Sequence, residues 1–146
     1  TDATTDVKGW IRWVKATGTG NTGWVAGPEA DTGWRDVSGS LLNSWVVAAA
    51  DPAFQIRRVG RTVSLRMHVR NGTVDSQVYA TPSGFRPSGA TVYFPVTNYY
   101  TGAAVGGAAW STSGSLDRYS SNAVAYATVS CPTNDAWPSS MPGSTA

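Results

Sequence analysis

The chain has 146 residues, the usual size of one domain, and only 14% of them are charged. Eleven basic and nine acidic residues give a net charge of +2, whereas nucleic-acid binding needs clustered Lys and Arg. A membrane-spanning helix needs roughly 18 consecutive apolar residues, and no such run occurs. One cysteine, Cys131, excludes an internal disulfide, and one histidine, His68, excludes metal motifs built on paired histidines. The sequence therefore predicts no nucleic-acid partner, no membrane insertion, no metal and no cofactor.

Residues 1–34 predict a short N-terminal stem. The opening TDATTD is typical of a piece cut from a longer protein. The segment WIRWV (10–14) is apolar on both faces, so as a strand it must be covered on both sides. Thr-Gly-Trp then occurs at 22–24 and again at 32–34. The glycine allows a turn, and burial of each tryptophan side chain stabilises the fold by about 2–3 kcal/mol.

We expect sister copies around a symmetry axis to cover these apolar side chains. The alternative is that the tryptophans plug one end of a monomeric sandwich. The predicted oligomer contacts are Trp10, Ile11, Trp13, Val14, Trp24 and Trp34.

Residues 35–146 predict a head made of β-strands. The segment 41–54 is interpreted as a strand with one helical turn near 48–50. In RTVSLRMHVR (61–70), apolar and polar residues alternate, as in a strand with one buried face. Segments 54–59 and 73–80 flank it, and Asn71-Gly72 has the composition of a type I′ hairpin. The sequence therefore predicts a three-stranded meander over 54–80.

Four more short strands are predicted, at 91–97, 104–112, 115–120 and 123–131. In the first of them Val92, Phe94 and Val96 point inward, and Pro95 makes it an edge or bulged strand because proline cannot donate to a ladder. The tail after Cys131 has no period. Strands about every ten residues predict an all-β fold, an antiparallel β-sandwich or jelly-roll-like head.

Four phrases carry a resemblance to a known family. They are DTGWRDVSGSLLNSW (31–45), QIRRVGRTVSLRMHV (55–69), PSGFRPS (82–88) and WPSSMPGSTA (137–146). In this order they resemble the C-terminal region of minor tail or tail-fibre proteins of siphophages that infect Gram-positive, especially actinobacterial, hosts. The stretch GWIRWVKATGTGNTGW resembles the segment that precedes the terminal domain in these proteins.

The resemblance implies a homotrimeric receptor-binding head at the tip of a tail fibre, outside the cell and in the virion. Such a head is joined to the remainder of the phage tail and binds host cell-wall polysaccharide without catalysis. A fibre-associated polysaccharide depolymerase or glycosidase, and a purely structural trimerisation or capping module, are the alternatives. The resemblance supplies no fixed set of ligand residues.

The loop-rich second half supplies the predicted saccharide site. Aromatic planes stack on the C–H faces of sugars, while Asn, Asp and Arg bind their hydroxyls. The segment NYYTGAAVGG (98–107) is typical of a variable loop. A place in the core is the alternative for Trp110 and one tyrosine. The predicted ligand residues are Asn98, Tyr99, Tyr100, Trp110, Asp117, Arg118 and Tyr119.

Other motifs have simpler interpretations. GTGNTG (18–23) matches a dinucleotide-binding pattern, but Gly27-Pro28 stops the helix that such a site needs. His68 lies between Arg66 and Arg70 without a signalled acidic partner, so a solvated or subunit-contact histidine is favoured over a catalytic one.

The charged side chains also favour structural roles. Most aspartates fall at predicted turns, where their side chains bind the backbone, whereas a glycosidase needs two acids in one cleft. Arg57, Arg58 and Arg61 are interpreted as a solvated face or as partners of aspartates in salt bridges between subunits, with an anion site as the alternative. No enzyme is predicted.

Overall fold

The computed structural model is built almost wholly of antiparallel strands. It describes residues 13–15, 24–26, 30–48, 53–119 and 124–146, with backbone alone for the first two ranges. The strands are β1 (Trp13–Lys15), β2 (Trp24–Ala26), β3 (Arg35–Asp36), β4 (Val46–Val47), β5 (Gln55–Val59), β6 (Thr62–Arg70), β7 (Ser76–Ala80), β8 (Val92–Thr97), β9 (Ala104–Trp110), β10 (Ser115–Tyr119), β11 (Ala125–Pro132) and β12 (Ser144–Thr145). A 3-10 turn covers Ser38–Ser40, and the described ranges contain no α-helix. The predicted all-β class is confirmed.

One curled sheet contains every strand after β2. Its order is β12-β3-β5-β6-β11-β8-β9-β10-β7, with β4 beside β6. Strands β11 and β8 share one register pair, Tyr126 with Thr97, so two groups of strands meet at this point. The N–H of Leu42 donates to the carbonyl of Val78 at 2.9 Å. This hydrogen bond joins β7, at one end of the sheet order, to the chain just before β4. The sheet thus curls halfway to a barrel, while β1 and β2 pair separately. None of the described elements is a helix long and apolar enough to cross a membrane.

The alternation predicted for 61–70 is confirmed on β6. Val63, Leu65, Met67 and Val69 are fully buried, whereas Arg66 on the other face remains half-exposed. We call the face of the sheet that carries Val63 and Leu65 the inner face, and the face that carries Arg66 the outer face. Burial of each such apolar side chain stabilises the fold by about 1.5–3 kcal/mol. The inner face therefore holds the core between the two groups of strands.

The predicted meander is correct for β5 and β6 but wrong for β7. Strand β7 pairs with β10, and the end of β6 pairs instead with β4 and β11. Asn71 does have a positive φ of 64°, but Gly72 lies against the indole of Trp45, which a Cβ at this position would overlap. The Asn71-Gly72 dipeptide therefore makes room for a core tryptophan and does not close a hairpin.

Two other strand predictions change in part. Strand β8 lies between β11 and β9 in the sheet order but shares only the Tyr126–Thr97 register pair with β11, so most of its length is paired on the β9 side alone, and the register shift between Pro95 and Thr97 confirms the bulge. Of the strand predicted over 41–54 only β4 forms, and residues 49–52 lie outside the described ranges. The aperiodic tail contributes β12, which pairs with β3.

The phrases that carry the resemblance meet in the fold. Arg58 of RRVG is 4% exposed, and its guanidinium lies 5.0 Å from the ring centroid of Trp137. It donates four hydrogen bonds of 2.5–3.0 Å to backbone carbonyls. We call this arrangement the Arg58 clamp, and its acceptors are the carbonyls of Gly60, Gly84, Asp135 and Ala136.

A second junction joins GWRD to the C-terminal phrase. Arg35 donates to the carbonyl of Pro142 at 3.1 Å and to that of Gly143 at 3.0 Å. Gly143 has a φ of 57°, and a Cβ there would overlap the carbonyl of Asp36. Through the Arg58 clamp and the Arg35 contacts, the segments that carry the resemblance hold the C-terminal tail against the sheet.

The backbone pairing of the head reaches back beyond the predicted boundary between residues 34 and 35. The N–H of Gly60 donates to the carbonyl of Ala30 at 2.7 Å, and that of Thr32 donates to the carbonyl of Arg58 at 2.9 Å. Residues 30 and 32 are therefore hydrogen-bonded to the end of β5 and the turn after it, and Trp34 follows them in the chain.

Candidate functional site

The turn between β8 and β9 presents two of the predicted ligand residues to solvent. Tyr99 is 47% exposed and Tyr100 is 69% exposed. The ring centroid of Tyr99 lies 5.4 Å from that of Tyr100 and 5.5 Å from that of the half-buried Tyr126 on β11, in edge-to-face contact with both. This geometry is favourable for aromatic rings. We call Tyr99, Tyr100 and Tyr126 the tyrosine patch.

Asn98 builds the turn that carries the patch. Its Oδ1 accepts hydrogen bonds from the N–H of Tyr100 at 2.9 Å and of Thr101 at 3.2 Å. Its own N–H donates to the carbonyl of Ala103, and its carbonyl accepts from the N–H of Gly102, both at 2.8 Å. An Asn side chain that binds the following backbone is a common turn device. Asn98 thus positions the tyrosines, and its amide oxygen is already occupied.

A shallow groove follows β9 on the outer face. From β8 through β9 to β10, the register sets are Tyr93–Ala109–Asp117 and Pro95–Gly107–Tyr119. Directly paired residues share a face, so small residues on β9 form a floor between larger side chains on either side. The groove has a volume of about 360 Å³ and is open to solvent. We call it the β9 groove, and its lining residues are Tyr93, Phe94, Pro95, Gly107, Ala108 and Tyr119.

Tyr119 and Asp117 thus lie at the β9 groove, as one part of the predicted site. Desolvation raises the pKa of Tyr119, and the negative charges of Asp117 and Asp75 add to this effect. Its hydroxyl therefore remains a hydrogen-bond donor at neutral pH. Asp117 accepts a hydrogen bond from the hydroxyl of Ser115 at 2.9 Å.

Trp110 and Arg118 are fully buried and offer no surface to a ligand in this chain. The indole N–H of Trp110 donates to the hydroxyl of Thr81 at 2.8 Å, within the core. Arg118 lies beneath the β9 groove and donates to the carbonyl of Tyr119 at 2.6 Å and to that of Val105 at 3.0 Å. Desolvation lowers the pKa of Arg118 from its very high usual value. Its guanidinium braces β9 against β10.

The predicted site is therefore divided. Tyr99 and Tyr100 belong to the tyrosine patch, whereas Asp117 and Tyr119 lie at the β9 groove. Trp110 is in the core, which was the alternative interpretation of this residue. Tyr93, which is 77% exposed, is the groove residue that the sequence analysis missed. The inward assignment of Phe94 already implied that its neighbour Tyr93 points outward.

Most of the predicted stem contacts lie outside the described side chains: Trp10, Ile11, Trp13, Val14 and Trp24. Trp34 is described, and two arginine side chains of the same chain lie near its ring. The guanidinium carbon of Arg66 lies 4.0 Å from its ring centroid, and that of Arg57 lies 5.9 Å away. Cation–π contacts within the same chain thus cover part of the Trp34 ring.

The three arginines of the predicted basic cluster point to different partners. Arg57 forms a salt bridge of 2.5 Å with Asp31, and its hydrogen bond lowers the pKa of that carboxyl. Arg58 is occupied by its clamp, and Arg61 donates to the side chain of Asn134. These contacts all lie within one chain, so they differ from the predicted solvated face and salt bridges between subunits, and the three guanidinium groups do not converge on one anion site.

Described aspartates also bind the backbone, as their positions at turns predict. Asp36 accepts from the N–H of Ser38 at 2.8 Å, and Asp135 accepts from the N–H groups of Gly84 at 2.7 Å and Arg86 at 3.2 Å. Within the described ranges, no three His, Cys, Asp or Glu side chains are grouped closely enough to hold a metal ion. The GTGNTG motif lies outside those ranges.

His68 is neither solvated nor paired with an acid. It lies on the outer face of β6 and is fully buried, with its ring centroid 4.5 Å from that of Tyr99 and 6.2 Å from that of Tyr126. Neither ring nitrogen has a hydrogen-bond partner among the described residues. Desolvation, and then the charge of Arg70, lowers the pKa of His68 below its usual 6.5.

Comparison of the chain with protein-family models, with curated proteins and with solved structures finds no match. The function must therefore be inferred from its own residues.

Proposed function

We propose that the chain is the head of a bacteriophage tail fibre and that it attaches the virion to its host by binding cell-wall saccharide, without catalysis. Two kinds of support bear on this proposal. The first is the resemblance of the four phrases, which now have a common role as scaffold contacts around the Arg58 clamp. The second is a solvent-facing aromatic surface suited to sugars.

One observation carries the binding proposal. Every exposed aromatic side chain that the structure describes lies on β8, β10 or the turn between β8 and β9. These side chains are Tyr93, Tyr99, Tyr100 and Tyr119, with exposed fractions between 37% and 77%. They form two groups, Tyr99 and Tyr100 in the tyrosine patch and Tyr93 and Tyr119 in the β9 groove, and grouped exposed apolar side chains are a mark of an interaction site. Tyrosine combines a flat apolar ring with a hydroxyl, and both suit the alternating C–H and O–H groups of a sugar.

We further propose that the head is a β-sandwich or jelly roll and acts as a homotrimer joined through its N-terminal stem to the rest of the tail. The two groups of strands that meet at Tyr126 and Thr97 are compatible with two facing layers. The two-faced WIRWV segment supports a symmetric stem, because one short strand cannot cover both of its own faces.

We expect purified chain to have about three times its 15.3 kDa mass by light scattering. A Trp10→Ser/Trp13→Ser variant should shift the population to monomer, because both rings are assigned to contacts between copies. Trp34→Ser is the matched control and should stay trimeric, because Arg66 of the same chain covers that ring. A 15.3 kDa monomer at every concentration tested would contradict the trimer.

We expect labelled protein to bind purified cell walls of a susceptible host, and periodate oxidation of the walls to abolish binding because it cleaves sugar diols. Tyr99→Ala/Tyr100→Ala should weaken binding roughly 10- to 30-fold, as expected for about 1 kcal/mol of stacking per ring. Val59→Ala is the control, since this exposed residue on β5 is remote in the sheet from the patch. Unchanged binding by the double variant would exclude the tyrosine patch as the site.

A fibre-associated depolymerase is the second candidate, and one observation favours it. The charges of Asp117 and Asp75 both act on the hydroxyl of Tyr119, so two carboxylates lie near one end of the β9 groove. A glycosidase uses two such groups on either side of the bond it cleaves. Release of reducing ends from host walls, lost in Asp117→Asn, would favour this candidate. Intact trimers that bind no susceptible cells would instead favour a purely structural module.

A further inference from the structure

His68 occupies an unusual position for a residue on the outer face of the sheet. Its neighbours along the same face of β6 are the half-exposed Arg66 and the exposed Arg70, yet His68 itself has no exposed surface. Tyr99 lies over the imidazole with an interplanar angle of 34°, and Tyr126 meets it edge-on at 88°. Tyr99, which the turn at residues 98–103 carries, therefore covers one face of the His68 imidazole.

The imidazole is buried without hydrogen bonds. Both Nδ1 and Nε2 lack a partner in the described part of the chain. A neutral imidazole has one donor and one acceptor, and the protonated ring has two donors and a full charge. A buried charge without partners is far more costly than a buried neutral group, because nothing replaces the water that it loses.

We propose that His68 is a proton-sensitive support for the tyrosine patch: the turn at 98–103 closes over the neutral imidazole and is released when the imidazole becomes protonated. The proposal concerns the turn itself and does not depend on which ligand the patch binds.

The groups that face His68 favour its neutral form. On β6, Arg70 and Arg66 carry positive charge, whereas the turn and β11 present the aromatic rings of Tyr99, Tyr100 and Tyr126 to His68. No described carboxylate is among its interaction partners. Cation–π attraction from the rings opposes release, whereas desolvation and the charge of Arg70 lower the pKa of His68 and favour release.

The lowered pKa of His68 in the closed turn determines how closure depends on pH. The closed turn holds a proton on His68 less tightly than the open turn does, so the open form gains protons first as the pH falls. Closure is therefore strongest above the usual pKa of 6.5 and is lost progressively as the pH falls from 6.5 through the lowered value. Acid conditions should expose Tyr99 and His68 together.

The turn can open without unfolding the sheet. Tyr99 and Tyr100 do not belong to the hydrophobic core, and the described hydrogen bonds of the turn join its own residues, four of them through Asn98 and one from the N–H of Ala103 to the hydroxyl of Thr101. Gly102 has a φ of 68°, a conformation that glycine adopts without strain. Local opening of this kind is measurable as amide hydrogen exchange.

The test is an NMR titration of the untagged full chain from pH 8 to pH 4.5. Because the chain has one histidine, the imidazole signals need no further assignment. Amide exchange of Asn98 and Gly102 is compared at each pH between the wild type and His68→Phe, which keeps a buried ring but cannot titrate. The ratio of the two proteins cancels the intrinsic pH dependence of exchange.

We expect protection of the two amides in the wild type to fall several-fold relative to His68→Phe as the pH drops below 6.5, because protonation of His68 favours the open turn. Arg70→Gln removes the like charge and should move the midpoint to higher pH, which tests the proposal even if His68→Phe does not fold. An unchanged ratio across the titration would overturn the proposal, as would an Arg70→Gln midpoint that does not rise.

Discussion

Replacement of Arg58 by alanine is expected to lower the free energy of unfolding by about 3–5 kcal/mol, a large share of the roughly 5–15 kcal/mol typical of a domain. The side chain is 4% exposed, and its four donors reach carbonyls from three separated parts of the chain. Alanine would leave these carbonyls unpaired and would remove the ring contact with Trp137. Desolvation lowers the pKa of Arg58, but from so high a value that the guanidinium remains charged.

Urea denaturation monitored by tryptophan fluorescence measures this loss. Arg58→Lys should recover only part of it, because an ammonium lacks the planar fork that contacts several carbonyls at once. Arg61→Ala is the matched control: this arginine is close in sequence but exposed, and its loss should change stability by about 0.5 kcal/mol or less. If Arg58→Ala and Arg61→Ala cost the same, the Arg58 clamp is not a major stabilising contact.

Replacement of Gly72 by alanine is expected to lower the free energy of unfolding by about 2–3 kcal/mol, the usual range for overpacking a core. The added methyl group would overlap the indole of Trp45, which is 3% exposed and donates to the hydroxyl of Ser76 at 3.3 Å. Either the tryptophan or the chain at 71–73 must move.

Gly39→Ala provides the control for the glycine replacement, because nothing lies within 4 Å of a Cβ at that position and its φ is not positive. Its effect should be about 0.5 kcal/mol or less, or slightly stabilising. A Trp45→Leu background should reduce the additional cost of Gly72→Ala, as a double-mutant cycle would measure. Equal costs for the two glycine replacements would show that Trp45 does not require the glycine.

Local sequence patterns predicted the strands well and their partners less well. Alternation over 61–70 identified β6 and its buried face, because side-chain direction in a strand depends only on position. The partner of β7 depends on contacts that alternation does not encode. Gly72 accommodates Trp45, which is distant in sequence, so a dipeptide with good hairpin composition serves another purpose here.

The candidate site shows the same division. Alternation in SLDRY already places Arg118 on the buried face with Leu116, and this signal would have removed Arg118 from the predicted ligand residues. No local signal predicts the burial of His68, because the tyrosines that cover it come from a different part of the chain. The role of Arg58 could not be predicted for the same reason. Nothing in RRVG distinguishes Arg58 from Arg57, because the carbonyls that Arg58 contacts at residues 135 and 136 are distant in sequence.

The turn at 98–103 is closed almost entirely by bonds between its own ends, through the backbone and side chain of Asn98. Most of the folding energy resides elsewhere, in the inner face and in the junctions made by Arg35 and Arg58. Mutations that alter the tyrosines consequently arise at little cost to folding. Under the proposed function, changes of ligand specificity through this one short segment would therefore leave the sheet and its junctions intact.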